Sequence, residues 1–277
     1  MKQIFQLLFA TLFSISCFSQ VTSEYGENAV NNRKLIRQNH IKMEVVFIYT
    51  LNKNRVNDSA WYSTIHYDTM GRVTSRNYKM VGMRTSFLDT MLYNKHGELI
   101  KEIVVLPETK RLLTIREYRY DTAKNEATKY DYNSDTTRVT IEKRRFNNKK
   151  QLIESYITTD TNPLYLSRKY LYNDSGDLLR TDAYDRNGKI SYSYIYEYNK
   201  EQHSRLEYRE NRNGRYKETQ LFFDDDGRII KTIRFDSNEN IKSVASTSYN
   251  TDGTLMETEF NVNGKDVSVN KHYYDYY

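Results

Sequence analysis

The sequence predicts an all-β protein: a long antiparallel β-meander of tandem two-strand repeats of about 26 residues, curled into a largely single-layer sheet. Three observations carry that expectation. A low mean hydropathy of −0.83 coexists with 26 tyrosines and 11 phenylalanines, whereas disordered polar chains are poor in aromatics. An aromatic-Asx motif returns at a steady spacing along the chain. The 10 glycines and 2 prolines fall almost wholly between segments that alternate on a period of two, so they mark the turns.

The first 19 residues read as a signal peptide. Lys2 supplies the positive start, Ile4 to Ile15 a short apolar core, and Cys17-Phe18-Ser19 small residues for cleavage before Gln20. That core is too short to span a bilayer, and no later segment is apolar enough for an integral membrane helix. The alternative is lipoprotein processing at Cys17, which Ser16 suits and Ser14 does not. Cleavage before Gln20 leaves no cysteine, hence no disulfide and no thiol nucleophile. The expected location is therefore secreted, periplasmic or cell-surface. Residues 20–40 lack the pattern and read as a flexible lead-in; the β-repeat domain takes 41–277, with Met43 to Leu51 as its leading strand.

The repeat runs aromatic, Asp or Asn, two residues, often Gly, one residue, aliphatic. It appears as Tyr67-Asp68-Thr69-Met70-Gly71-Arg72-Val73 and as Tyr93-Asn94-Lys95-His96-Gly97-Glu98-Leu99. Its anchors are Tyr67, Tyr93, Tyr120, Phe146, Tyr172, Tyr198, Phe223 and Tyr249, with a last start at Tyr274. A second turn follows each anchor by about 15 residues, as at Asn187-Gly188, Asn213-Gly214 and Asn263-Gly264, which read as two-residue hairpins. Gly82, Pro107 and Pro163 occupy the same slot or lie close to it. Between turns, Lys189 to Tyr198 and Arg228 to Phe235 alternate as strands do. Two strands per repeat give about sixteen, plus the leading strand.

An open twisted sheet rarely exceeds about ten strands, so a longer one has to curl. The eight anchors are expected to form an aromatic stripe on one face, joined by Tyr78, Tyr156, Tyr208, Phe235 and Phe260 from the intervening strands. The stripe is the candidate binding face, or else packing. The Trp61 region and the terminal Tyr273 to Tyr277 are candidate end caps. The repeats at Tyr120 and Phe146 have lost their glycine, which makes Tyr120 to Tyr165 the stretch that departs most from the pattern.

The motif Tyr67-Asp68-Thr69-Met70-Gly71-Arg72-Val73-Thr74 resembles the YD repeat of bacterial Rhs-type proteins, and more loosely MORN-type hairpin repeats. The first resemblance implies a winding β-sheet, which in large polymorphic toxins forms a shell around a toxin domain. The period here is longer than the usual YD spacing. The second implies an interaction surface. Neither implies catalytic residues.

Chemistry-bearing patterns are few. The histidines His40, His66, His96, His203 and His272 have no metal-ligand spacing. His66 and Asp68 sit two apart beside a turn. Asp224-Asp225-Asp226-Gly227 is a repeat turn and too short for a calcium loop. Lys143-Arg144-Arg145 with Lys149-Lys150 reads as a solvated edge that deters aggregation. A formal charge of +6, or +5 without Lys2, is interspersed with acids and argues against a nucleic-acid partner. The expectation is a non-enzymatic protein with no cofactor or metal, a binding or structural scaffold for a protein or glycan at the cell envelope. The alternatives are an outer-membrane β-barrel and an immunity or accessory protein to a toxin.

Overall fold

The computed structural model describes residues 27–52, 55–79, 85–159, 162–262 and 265–277. The side chains of 27–32, 51–52, 55–61 and 265–267 are outside that description, as are the signal peptide, Cys17, Gly82 and the Asn263-Gly264 turn. Among the described residues one helix, α1 (Glu27–Gln38), precedes eighteen strands. They are β1 (Ile41–Asn52), β2 (Arg55–Tyr67), β3 (Val73–Lys79), β4 (Ser86–Tyr93), β5 (Leu99–Leu106) and β6 (Arg111–Asp121). Next come β7 (Glu126–Asn133), β8 (Arg138–Phe146), β9 (Leu152–Thr159), β10 (Tyr165–Tyr172), β11 (Leu178–Tyr184) and β12 (Ile190–Asn199). The last are β13 (Ser204–Asn211), β14 (Gly214–Phe223), β15 (Ile229–Phe235), β16 (Ile241–Tyr249), β17 (Leu255–Val262) and β18 (Lys265–Tyr276).

The sheet is the all-β antiparallel meander that the repeat predicts, and its curl goes all the way round. Each strand pairs with the next, and β18 pairs antiparallel with β1, from Ile41 opposite Tyr276 to Thr50 opposite Ser268. Closure removes both edges. Tyr273 to Tyr276 therefore sit in the closing strand rather than capping an end, and the basic run at Lys143 is no edge deterrent. Lys143 and Arg145 instead pair with Glu126, and Arg144 pairs with Glu142.

The turn after each anchor explains the motif. In the Tyr93 repeat the Asn94 N–H donates to the Glu98 carbonyl, and the Gly97 N–H to the Asn94 carbonyl. The Asn94 Oδ1 accepts from the His96 and Glu98 N–H groups, which is why Asx is needed there. Gly97 adopts φ +80°, which suits glycine. The same turn closes Tyr184-Asp185 to Ile190, so Asn187-Gly188 belongs to a longer loop than the two residues expected. At Asn211↔Gly214 the two loop residues are Arg212 and Asn213.

Beyond each such turn the register slips by one, because an extra residue is inserted opposite the anchor. These residues are Thr74, Ile100, Ile153, Leu179, Ile230 and Met256. Such a β-bulge disrupts the ladder locally and leaves a backbone group to be satisfied. The next anchor satisfies it. Tyr93 donates its hydroxyl to the Val73 carbonyl at 2.8 Å, Tyr120 to Leu99 at 2.8 Å, and Tyr172 to Leu152 at 2.9 Å. Tyr198 donates to Leu178 at 3.1 Å, Tyr249 to Ile229 at 2.9 Å, and Tyr274 to Leu255 at 2.8 Å.

The turns after Tyr120 and Tyr198 differ. There Asn125 and His203 take positive φ and the strands run on without a bulge. The anchor that follows is Phe146 or Phe223, which has no hydroxyl, and its backbone N–H reaches the Asn125 or His203 carbonyl. The Phe146 turn, although it lacks glycine, keeps the bulged geometry with Lys150 at φ 62°. The divergent turns are thus those after Tyr120 and Tyr198, not Tyr120 and Phe146.

The anchors line the inner face. With them on that face lie Val46, Ile65, Asp89, Glu102, Val104, Ala127, Ala183 and Leu221, all buried. Of the intervening aromatics, Tyr78 and Phe260 share the inner face, while Tyr156, Tyr208 and Phe235 fall on the outer one by register. The single stripe expected across both strands of each repeat is corrected accordingly, because Tyr156, Tyr208 and Phe235 each lie next to an inward residue of their own strand, Ser155, Arg209 and Arg234, and so point outward.

Residues 20–40 are not simply a flexible lead-in, since 27–38 form α1, which crosses the mouth where the anchor turns gather. Ile36 is buried, Leu35 lies against Gly253, and the Asn39 side chain donates to the Asp252 carbonyl at 3.1 Å. His40 at φ 53° ends the helix and turns the chain into β1. A Cβ on Gly71, itself at φ +74°, would overlap the Arg33 carbonyl oxygen, so this turn admits the helix only as glycine.

Two outcomes check this account. Tyr172→Phe is expected to cost about 1 kcal/mol in thermal or denaturant unfolding, the net worth of one hydrogen bond, whereas Phe146→Tyr gains nothing. Gly71→Ala is expected to cost more than Gly227→Ala, which has the same backbone strain of about 1 kcal/mol but open space around it, and to expose residues 27–38 to limited proteolysis.

Candidate functional site

The inner wall is the candidate site, and three parts of it differ in chemistry. The first lies at the seam. Tyr67, the first anchor, has no preceding repeat and donates its hydroxyl to Glu44 Oε2 at 2.7 Å. His272 Nδ1 donates to Glu44 Oε1 at 2.6 Å. Glu44 is 6% exposed and stands opposite Tyr274 across the closing pair of strands. Burial alone would raise its carboxyl; the bonds from His272 and Tyr67, with the Tyr274 hydroxyl close by, outweigh burial and hold it below its ordinary value. Burial and the Glu44 charge push the Tyr67 hydroxyl well up, and burial does the same to Tyr274. Both hydroxyls are donors at any working pH.

The second part runs from β3 to β8 and is a chain of ion pairs. Arg76 meets Asp89 at 2.6 Å, and Arg116 bridges Glu102 at 2.5 Å and Asp131 at 3.4 Å. Lys129 then links Asp131 at 3.3 Å to Glu142 at 3.2 Å, and Arg144 completes Glu142 at 2.7 Å. Four cations face four carboxylates, so this wall is neutral. Asp89 is 1% exposed, and burial pushes its carboxyl up despite Arg76.

The third part, β10 to β15, has the same residue types without the balance. Arg205 pairs with Glu207 at 2.6 Å, and Arg209 with Glu218 at 3.8 Å. Arg168 and Arg234 have no carboxylate within ion-pair distance among the described residues. Arg168 has the hydroxyls of Tyr170 and Tyr192 as its polar neighbours. Burial pushes the Glu218 carboxyl up against the pull of Arg209. Tyrosine rings fill the spaces. Arg209 lies 4.6 Å from the Tyr192 ring and Arg205 5.5 Å from Tyr196, while Tyr192 and Tyr194 meet edge to face at 5.5 Å. Burial pushes the hydroxyls of Tyr172, Tyr194 and Tyr196 up to about 12. Arg168 and Tyr198 face inward and are nevertheless exposed, so water reaches this wall.

Of the eight sequence-predicted aromatics, Tyr67, Tyr93, Tyr120, Tyr172, Tyr198 and Tyr249 commit their hydroxyls to the bonds above, and Phe146 and Phe223 have none. Tyr120 and Phe146 also line a cavity of about 280 Å³ beneath α1, with Arg33, Leu99, Ala127 and Lys150. A second concavity of about 620 Å³ is lined by Arg119, Tyr130, Arg138, Ile141, Lys143 and Leu164. Both belong largely to the stretch from Tyr120 to Tyr165 that the sequence singles out. Sequence reasoning missed the arginines of the third wall, although their period-two alternation with tyrosine at Tyr192 to Tyr198 and Arg205 to Arg209 was readable. His66 and Asp68 do not form a site: the Asp68 carboxylate is held by Arg72. Among the described residues no group of three or more His, Cys, Asp or Glu is placed to hold a metal ion.

The seam makes a pH prediction. A carboxyl held below its unfolded value of about 4.3 stabilises the fold above that pH, and the contribution is lost as pH falls through the folded value. Wild type is expected to exceed Glu44→Ala by about 2 kcal/mol at pH 7, because the variant strands buried donors, with the gap narrowing below about pH 4. Thermal unfolding of both proteins from pH 3 to 7 reads it.

No family model matches the chain, and no curated protein does. Among solved structures, it is similar to a porin-like protein from Bacteroides uniformis at 10% identity and TM-score 0.48, covering 86% of this chain and 97% of that one. It is similar to a putative outer membrane lipoprotein-sorting protein domain from Vibrio parahaemolyticus at 7% identity and TM-score 0.26, covering 89% and 93%. It is also similar to part of TcdB2-TccC3 at 12% identity and TM-score 0.28, covering 80% of this chain and 15% of that one. At these scores and identities the likenesses carry nothing about what this chain does.

Proposed function

We propose that the chain is an exported, non-enzymatic scaffold of the bacterial cell envelope that takes its partner inside the barrel. The observation that carries this reading is the inner wall over β10 to β15, which is polar, aromatic and wet, while the anchor tyrosines are spent on holding the sheet. Export rests on the leader read in residues 1–19. A partner inside suits a barrel whose one mouth is crossed by α1.

Closure of eighteen antiparallel strands favours a second reading, an outer-membrane barrel. Outward charge pairs weigh against it. Lys101–Glu117, Arg145–Glu154, Arg180–Glu210 and Lys271–Glu257 lie on the face that lipid would have to cover.

Expression with the native leader in a bacterium, followed by fractionation and mass spectrometry, decides between them. The expected product begins at Gln20 and leaves the envelope without detergent. A chain released only by detergent would sink the scaffold reading in favour of the membrane barrel.

A further inference from the structure

We infer that the inner wall over β10 to β15 is a binding site for an acidic oligosaccharide, a chain of sugars bearing carboxylate or sulfate groups. The inference rests on the reading that this barrel takes its partner inside, and it names the partner's chemistry.

The argument begins with charge. Two neighbouring parts of one wall use the same residue types. From β3 to β8, Arg76, Arg116, Lys129 and Arg144 are answered by four carboxylates in contact. From β10 to β15, Arg168, Arg205, Arg209 and Arg234 face only Glu207 and Glu218. Arg234 is half-buried without an anion in contact, which is costly, and an apolar residue would fill the same space at less cost; Arg168, exposed on the same wall, has no carboxylate in contact either. The surplus is therefore a place for an anion supplied from outside.

Spacing and surface give the class. Arg168 is the fourth of the eight residues of β10, and Arg234 stands one residue before the end of β15. Five strand steps of about 4.8 Å separate them, roughly 24 Å along the wall. One phosphate or sulfate cannot touch both; a charged chain several units long can. Between them Tyr192, Tyr194 and Tyr196 project inward from a single strand, offering ring faces to sugar C–H groups and hydroxyls to sugar oxygens. Guanidinium forks match carboxylate and sulfate geometry. An aromatic wall with charges at its two ends suits a saccharide with spaced acidic groups.

The test is isothermal titration of the mature chain with oligogalacturonate and a heparin-derived hexasaccharide. Maltohexaose, inorganic sulfate and a short single-stranded oligonucleotide serve as comparisons. The expected result is binding of one or both acidic oligosaccharides that weakens with added salt, with at least tenfold weaker binding of maltohexaose and sulfate. Arg168→Gln with Arg234→Gln should weaken binding at least tenfold and leave the melting temperature at or above wild type. Arg180→Gln, on the outer face, should leave affinity unchanged. Arg168→Gln alone, at an exposed position, covers the case in which the double variant does not fold, and should weaken binding at least threefold. Failure of both acidic oligosaccharides to bind, equal binding of the neutral hexaose, preferred binding of the oligonucleotide, or full affinity in a folded Arg168→Gln variant each overturns the inference. None of these outcomes touches the detergent result, so loss of the ligand class and loss of the scaffold reading are seen separately.

Discussion

A bulge leaves a backbone carbonyl out of ladder register, and in this barrel a tyrosine hydroxyl from the next repeat answers it. That bond ties each repeat to its neighbour from the inside. The bulge is not incidental, because it follows from the five-residue turn that the Asx residue organises. Turn, bulge and next anchor are thus one device spread over two repeats. Where the turn changes, after Tyr120 and Tyr198, the bulge disappears and the next anchor loses its hydroxyl. At about 1 kcal/mol each, the six bonds together approach the net stability of an ordinary domain. A barrel with little apolar core depends on them.

The same device shows why much of the fold was legible in the sequence. Asp68, Asn94 and Gly71 mark turns because their side chains or φ angles make those turns, so period and strand positions could be read from one chain. The choice of Tyr or Phe at each anchor was not legible, because the carbonyl that a hydroxyl answers is exposed only by the bulge in the folded sheet. Closure was not legible. Whether strand eighteen meets strand one depends on twist summed over the whole sheet, and no local residue encodes that sum. Helix α1 was hidden because its described apolar side chains are only Leu35 and Ile36, and it is held by Gly71 and Asp252, remote in sequence. The intervening aromatics Tyr156, Tyr208 and Phe235 were assigned to the wrong face because a one-residue slip inverts a strand.

Closure also decides what the seam must do. Every other pair of adjacent strands is consecutive in the chain, but β18 and β1 are the two ends of the repeat domain and meet only through their ladder and side chains. No repeat turn precedes Tyr67, so it has no repeat carbonyl to bond. Glu44 takes that place, and His272 holds Glu44 from the other side. A buried carboxylate is expensive unless it is hydrogen-bonded. Here it stands where the covalent repeat is interrupted, and its two donors come from the two strands flanking β1, Tyr67 from β2 and His272 from β18.

A closed sheet gives a charge one of two meanings. On the outer face, pairs such as Lys101–Glu117 are solvated and worth little, so their presence says only that the surface is wet. On the inner face a charge has lost part of its water and must find a partner. From β3 to β8 it does, in an unbroken relay from Glu102 to Arg144. From β10 to β15 the relay stops, although tyrosine and arginine continue strand by strand. Equal numbers of cations and anions on this wall, or apolar residues in place of both, would relieve desolvation. Guanidinium groups set between tyrosine rings with half as many carboxylates are the less stable arrangement for the empty barrel. That asymmetry is what the proposed acidic ligand would offset.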